Sequence, residues 1–311
     1  MAIELLKEKY TSSINVVEIG AARSQGPTRG NIVKIGGQTA LPFLYGEGEM
    51  PNRPVMAMEI YDLMPDDWSF DISQAFGKKL TDPIAWAEAC VNDRKADALC
   101  VRLISAHPDY GKRPCREIIA FIERLIRQIS VPLIIIGSQD NERDTEILPE
   151  VSHALRKENC LMGIVSQDNY KTLAASCLAD GHSLIAESPI DINIAKQVNI
   201  LISDMGYDPK RIVMHPTTAS LGYGLEYVYS IMERSRLAAF SGDWTLAMPM
   251  ILFIGQEVWR VKEAKESETV GIAWEFATAS LLLQAGADIL VMRHPKAARQ
   301  IQDFIGTIIQ R

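Results

Sequence analysis

Eight short apolar runs, each followed by a stretch of helical periodicity, with no G-x-G-x-x-G fingerprint after any of them, predict a TIM (β/α)8 barrel with a short N-terminal β-rich extension. Parallel strands joined by right-handed helical crossovers close on themselves at eight. A doubly wound open sheet is the competing fold, and it needs a switch point usually marked by a glycine-rich first turn. A chain of 311 residues accommodates two average domains or one large barrel. The unbroken alternation favours one barrel, residues 54–311, behind an extension, residues 1–53.

The extension is rich in turn formers: Gly20, Gly26, Pro27, Gly30, Gly36, Gly37, Gly46 and Gly48. Residues 31–35 alternate as a hairpin strand does, so the segment is expected to precede or cover the barrel. Residues 55–60 (VMAMEI) form the first buried strand. Asp82-Pro83 then opens a helix, with aspartate at the cap and proline in the first turn. A strand at 98–104 precedes a helix at 114–129. The apolar run at 131–137 (VPLIIIG) is the clearest strand of the chain, and a helix at 145–157 follows it. A strand at 161–166 leads to a helix capped by Asp168 and running to 179. The strand at 183–187 leads to a helix capped by Asp191 and running to 205. Strand 211–214 is followed by helix 225–240. The seventh strand, 247–254, is blurred by Met248-Pro249 and Gly255. Helix 272–284, strand 287–292 (ADILVM) and helix 295–308 complete the series.

Composition narrows the function. Net charge is −7 and the pI about 5.4, with no basic block, which argues against a nucleic-acid partner. The N-terminus lacks the apolar core of a signal peptide, and no apolar run approaches the roughly 20 residues of a membrane span. The expected location is cytoplasmic. The five cysteines, Cys90, Cys100, Cys115, Cys160 and Cys177, are widely spaced with no C-x-x-C. That pattern argues against a disulfide framework and against an iron–sulfur cluster housed in this chain. Cys100 and Cys160 lie in apolar runs and read as inert, buried thiols.

A barrel carries its site at the C-terminal ends of its strands. Those ends hold Glu59 and Asp62, Ser105 and His107, Ser138, Ser166, Gln167 and Asp168, Glu187 and Ser188, His215, Thr217 and Thr218, and Arg293 and His294. Three histidines precede proline there: His107, His215 and His294. Neither H-x-H nor H-E-x-x-H occurs, so proline starting the next helix explains the pattern better than a metal does. Glu59 and Glu187 are the pair a glycosidase would need, but aromatic sugar platforms are few. An aldolase requires a strand-borne lysine, and the predicted barrel strands carry none.

Several strings in order resemble one family: residues 35–43 (IGGQTALPF), 54–59 (PVMAME) with Asp62, Asp82-Pro83 with Trp86-Ala87, 221–227 (LGYGLEY), 233–239 (ERSRLAA) with Gly242-Asp243, and 255–259 (GQEVW). The chain resembles the delta subunit of acetyl-CoA decarbonylase/synthase, whose counterpart in acetogenic bacteria is the small subunit of the corrinoid iron–sulfur protein. The resemblance covers nearly the whole sequence. It implies a TIM barrel related to pterin-binding methyltransferases, paired as a heterodimer with a large corrinoid/iron–sulfur subunit. Cobalamin is then held between the two subunits and carries a methyl group from methyltetrahydrofolate, through a separate methyltransferase, to acetyl-CoA synthase in the reductive acetyl-CoA pathway. The cobalt-ligating motif D-x-H-x-x-G is not present. Asp180-Gly181-His182 comes nearest, but Ile185 stands where its glycine would be.

Two segments are the expected corrinoid-facing elements. The first is the loop with Thr217, Thr218, Ser220, Gly222, Tyr223 and Gly224, which offers backbone and hydroxyl partners for corrin amides. The second is Gly36, Gly37, Thr39 and Phe43, which would serve the cofactor or a subunit contact. The competing reading is a stand-alone pterin-dependent methyltransferase that binds methyltetrahydrofolate in the barrel, with Asp168 after the fourth strand as its acidic contact.

Overall fold

A computed structural model describes residues 7–22, 24, 30–44, 46–66 and 68–309. Gly26 and Pro27 lie outside the described residues. Strands β1 (Val17–Gly20) and β2 (Ile32–Ile35) form an antiparallel hairpin. The barrel strands are β3 (Val55–Tyr61), β4 (Ala98–Arg102), β5 (Leu133–Ile136), β6 (Leu161–Val165), β7 (Ser183–Glu187), β8 (Ile212–His215), β9 (Ile251–Leu252) and β10 (Ile289–Met292). They are parallel, in the order β8-β7-β6-β5-β4-β3-β10-β9. A parallel bridge between Met214 and Met250 joins the two ends, with Met214 N donating to Pro249 O at 2.8 Å. The eight strands therefore close into a barrel.

The helices are α1 (Phe70–Phe76), α2 (Pro83–Glu88), α3 (Cys115–Gln128), α4 (Asn141–Ala154), α5 (Tyr170–Asp180), α6 (Ile192–Asp204), α7 (Leu225–Phe240), α8 (Ile254–Val258), α9 (Glu268–Gln284) and α10 (Pro295–Ile309). Asp82 caps α2 through Ile84 N at 3.0 Å, and Asp191 caps α6 through Asn193 N at 2.7 Å. Asp168 does not cap α5. Ser166 and Asn169 close a turn on each other, with Ser166 N donating to Asn169 Oδ1 at 2.8 Å, and this leaves Asp168 exposed in the loop. Helix α4 starts four residues earlier than its periodicity suggests, because Asp140 caps it through Arg143 N. Strand β9 is only two residues long: Pro249, two residues before it, has no N–H to give a ladder, the Met250 N–H goes to Asp288, and α8 begins at Ile254. None of the described helices is long and apolar enough to cross a membrane.

Strand alternation sorts the core into two. Val55, Ala57, Ala98, Cys100, Ile134, Ile136, Leu161, Ile185, Val213, Ile251, Ile289 and Val291 point inward, and Val17, Ile19 and Ile35 of the hairpin join that same cluster. The other strand face, with Met56, Met58, Leu99 and Val101, packs under the helices. The hairpin thus plugs the N-terminal end of the barrel. Its edge is tied to the loop before β6: Gly20 N donates to Asn159 O at 2.8 Å, and Asn159 Nδ2 donates to the Glu18 and Gly20 carbonyls.

A buried carboxylate locks this end. Asp288 accepts from Met250 N at 2.8 Å, from the Arg236 guanidinium and from Gln38 Nε2. Arg236 also donates to Met248 O and Gly286 O. Gln38, Arg236 and Asp288 are all buried, so extension, α7, β9 and β10 meet at one ion pair. Removing one partner leaves the other charge buried and uncompensated. Arg236→Ala is therefore expected to lower unfolding free energy by about 3–5 kcal/mol in urea titrations, with the extension becoming more sensitive to limited proteolysis.

Candidate functional site

The C-terminal mouth of the barrel divides into a filled half and an open half. In the filled half, inward positions at the ends of β3 and β4 and just after β10 bring Glu59, Arg102 and Arg293 together. Arg102 Nε donates to Glu59 Oε1 at 3.0 Å, and its Nη2 donates to Gln256 Oε1 at 2.6 Å. Arg293 donates to Glu59 Oε2 and, at 2.6 Å, to the Tyr61 hydroxyl. The Arg293 guanidinium lies 4.9 Å from the Trp68 ring centre, and that of Arg102 lies 5.5 Å from Phe253. All three charges are at most 3% exposed. Burial alone would raise the Glu59 pKa, but Arg293 and Arg102 outweigh it and hold the carboxyl below its ordinary range.

Behind this half, Glu275 accepts from Trp259 Nε1 at 2.7 Å and from the backbone N–H groups of Arg293 and His294. Burial pushes its carboxyl up to about 7. His294 stacks on Trp259, and its Nδ1 accepts from Lys296 N at 3.2 Å.

The open half lies between the tips of β5, β6 and β7. A cavity of about 220 Å3 is lined there by Gly137, Gln139, Asn141, Ser166, Asn169 and Glu187, among others. Asp144 organises its floor by accepting from Ser138 N, Ser138 Oγ and Gln139 N at 2.7–3.0 Å. Gly137 is required here, since a Cβ would fall 2.3 Å from the Asp144 carboxylate. Asn169 Nδ2 donates to Asn141 Oδ1 at 3.2 Å. Glu187 Oε1 lies 3.4 Å from His215 Nδ1, and this contact lowers the Glu187 pKa. His215 Nε2 meets Thr218 Oγ1 at 3.2 Å, and the same hydroxyl oxygen accepts from Phe253 N at 2.9 Å.

The expected corrinoid-facing residues fall at two opposite ends. Thr217, Thr218, Ser220, Gly222, Tyr223 and Gly224 stand at the mouth, between β8 and α7. Thr217 has φ +69°, unusual for a β-branched residue, and its hydroxyl donates to Ser188 O. Thr218 and Ser220 are buried; Tyr223 is 50% exposed and donates to Glu263 at 2.7 Å. Gly224, at φ +97°, turns the chain into α7. Gly36, Gly37 and Thr39 belong to the plug at the other end. A Cβ on Gly36 would lie 2.0 Å from Asn15 O, and Thr39 is bonded to Glu49. Phe43 is partly exposed beside this end. The structure does not bring the two groups together.

The three His-Pro histidines are also separate. His107 caps its own turn through Asp109 N, His215 joins Glu187 and Thr218, and His294 packs on Trp259. Among the described residues no group of three or more His, Cys, Asp or Glu is placed to hold a metal ion. His182 is wholly buried at the far end, accepting from Cys160 N on Nδ1. Cys100 and Cys160 are buried, and burial drives the Cys100 thiol pKa up. Arg102, Phe253 and Gln256 were missed by reading strand ends, although the inward sequence Ala98, Cys100, Arg102 carried the signal.

Residues 16–302 match the family described as CO dehydrogenase/acetyl-CoA synthase delta subunit. The acetyl-CoA decarbonylase/synthase complex subunit delta of Methanocaldococcus jannaschii is 32% identical over 308 residues, which cover 97% of this chain and 75% of the relative. That of Methanopyrus kandleri is 31% identical over 296 residues, covering 92% and 73%. The chain belongs to this delta-subunit family. Among solved structures, the dihydropteroate synthase of Coxiella burnetii in complex with pteroic acid superposes with a TM-score of 0.59 at 12% identity, covering 88% of this chain and 99% of that one. The Xanthomonas albilineans dihydropteroate synthase gives 0.57 at 17% identity, covering 85% and 96%. At such identities these likenesses bear on the fold, and this chain is a barrel of that kind.

Glu59→Gln is expected to cost about 3–5 kcal/mol in urea unfolding, because two buried guanidinium groups lose their counter-charge. In the wild type, the contribution of Glu59 is present above its unfolded pKa near 4.5. It is lost only as pH falls through the still lower folded value. Burial holds His294 at about 4, against 6.5 unfolded. Its contribution is complete above pH 6.5 and declines as pH falls toward 4, by up to about 1.4 kcal/mol per pH unit. His294→Asn should flatten that part of the stability–pH curve relative to the wild type.

Proposed function

We propose that this chain covers a corrinoid as the small subunit of a heterodimeric methyl carrier, its partner being a large corrinoid/iron–sulfur subunit. The observation that carries this reading is the mouth itself. Its centre is filled by an internally neutralised Glu59–Arg102–Arg293 cluster, while its rim exposes Met64, Ile190, Tyr223 and Tyr227 on the loops and helix start that follow β3, β7 and β8. A filled centre with an apolar rim suits packing against a broad, flat partner better than enclosing a small substrate.

The residues present fit a covering role. Tyr223 and the 217–224 loop put hydroxyl and backbone groups at the rim, where corrin amides would need hydrogen-bond partners. They do not fit a cobalt-ligating role: His215 is 6% exposed and lies between Glu187 and Thr218. When bound, the cobalamin supplies the methyl-carrying chemistry. This chain excludes water from one side of it and fixes its orientation. On this reading the methyl group comes from methyltetrahydrofolate by way of a methyltransferase and goes on to acetyl-CoA synthase. Membership of the delta-subunit family supports that assignment.

The pterin-dependent methyltransferase is the second reading. The likeness to dihydropteroate synthases and the cavity beside Glu187 favour it, but Asp168, its proposed acidic contact, points from an exposed loop and does not line that cavity. Purification of the chain alone and together with its large subunit separates the two, by visible spectrum and native mass. The expected outcome is a colourless chain alone and a one-to-one coloured complex containing corrinoid. A chain that stays monomeric and colourless beside the large subunit, yet demethylates methyltetrahydrofolate, establishes the second reading instead. Tyr223→Glu with Tyr227→Glu at the rim should weaken the complex at least about tenfold, since charges buried in an interface core are costly.

A further inference from the structure

The open half of the mouth has a chemistry of its own. The cavity between the tips of β5, β6 and β7 measures about 220 Å3, below the roughly 300–1,000 Å3 that enclose a drug-sized molecule. It admits a side arm of a ligand and not a macrocycle. Its walls differ in hydrogen-bonding character, above a floor where the Asp144 carboxylate is already engaged by Ser138 and Gln139. On one side stands Glu187, half-buried and in contact with His215 at 3.4 Å, and it can only accept. On the other side stand Asn169 and Asn141. Asn169 is held in one orientation, because its Oδ1 accepts from Ser166 N at 2.8 Å and its Nδ2 donates to Asn141 Oδ1 at 3.2 Å. With Asn141 Oδ1 thus serving as acceptor, the Asn141 amide nitrogen and the second N–H of Asn169 remain as donors.

A group matched to both walls must donate to Glu187 and accept from the asparagines. A carboxylate is repelled by Glu187, and an ammonium satisfies one wall only. A primary carboxamide satisfies both, and it is small enough for the cavity. We propose that this cavity receives one carboxamide arm of the corrin ring and reads it as an amide. The inference rests on the covering role proposed above and names the residues that would set the orientation of the ring.

The test uses the full chain reconstituted with its large subunit and follows equilibrium binding through the visible spectrum of the corrin. Two kinds of probe are compared: a corrinoid with every arm a carboxamide, and the separated isomers in which one arm is hydrolysed to a carboxylate. One isomer is expected to bind at least about tenfold more weakly than the all-amide form, because it sets a second negative charge against Glu187. Glu187→Gln, at a half-exposed position, should narrow that gap to under about threefold, since a glutamine can face either form. Equal binding of all isomers, or a gap that Glu187→Gln leaves unchanged, overturns the amide-reading subsite while leaving the covering role intact. A complex that takes up no corrinoid at all overturns the covering role. Binding of methyltetrahydrofolate to the chain that is lost in Glu187→Gln, with no discrimination among the arms, assigns the cavity to a pterin and overturns the proposal.

Discussion

A carboxylate pinned between two guanidinium groups governs the character of this barrel. Glu59 and Arg102, on the neighbouring strands β3 and β4, meet Arg293, which directly follows β10, in the inward top layer, with essentially no exposure. Each charge is costly to bury alone, and each is matched by hydrogen bonds as well as by opposite charge. The cluster fills the centre of the barrel at its C-terminal end. Both oxygens of Glu59 are engaged by guanidinium groups, which hold the carboxylate ionised as their counter-charge. The aromatic faces of Trp68 and Phe253 are covered by the same cations. Around the cluster stand the rim, the cavity between the tips of β5, β6 and β7, and a cavity of about 500 Å3 beside Ser220 and Tyr223.

The opposite end is specialised for holding the ring together. Strand β9 contributes two residues, and closure of the barrel between β8 and β9 depends on few backbone bonds. Asp288 offsets this weakness by accepting the Met250 N–H together with Arg236 and Gln38. The hairpin adds Val17, Ile19 and Ile35 to the barrel's own interior, so the extension is part of the core and not an appendage. Gly36, at φ +84° and pressed against Asn15 O, lets the chain make that approach. The conformational demand that made these glycines prominent in the sequence is met within the chain.

Much of the architecture was legible because buried parallel strands read as apolar runs and their helices as a period of 3.6. Strand β7 and helix α7 occur where that pattern puts them. The short helices α1 and α8, of seven and five residues, escaped because neither spans enough turns to show a period. Asp168 was misjudged because Asn169, one residue on, satisfies the Ser166 N–H and shifts the helix start. The charged cluster was half legible: Glu59 and Arg293 stand at strand ends, but Arg102 looked like the end of an apolar run, and the pairing depends on ring closure. The cavity was least legible of all. Gly137 and Asp144 are seven residues apart, and only the fold reveals that one must lack a Cβ to admit the carboxylate of the other.

A barrel whose two ends are so unequal in chemistry fits the usual division of the fold, with stability at the N-terminal ends of the strands and function at the C-terminal ends. Here the division goes a step further within the functional end itself. The filled half supplies a rigid floor, since an ion pair held by Tyr61, Gln256 and two aromatic faces has little freedom to rearrange. The open half supplies polarity with defined direction, because Asp144, Asn169 and His215 each fix a neighbour's orientation. The covering role proposed above, over a large planar group whose edges are told apart, draws on those two properties side by side.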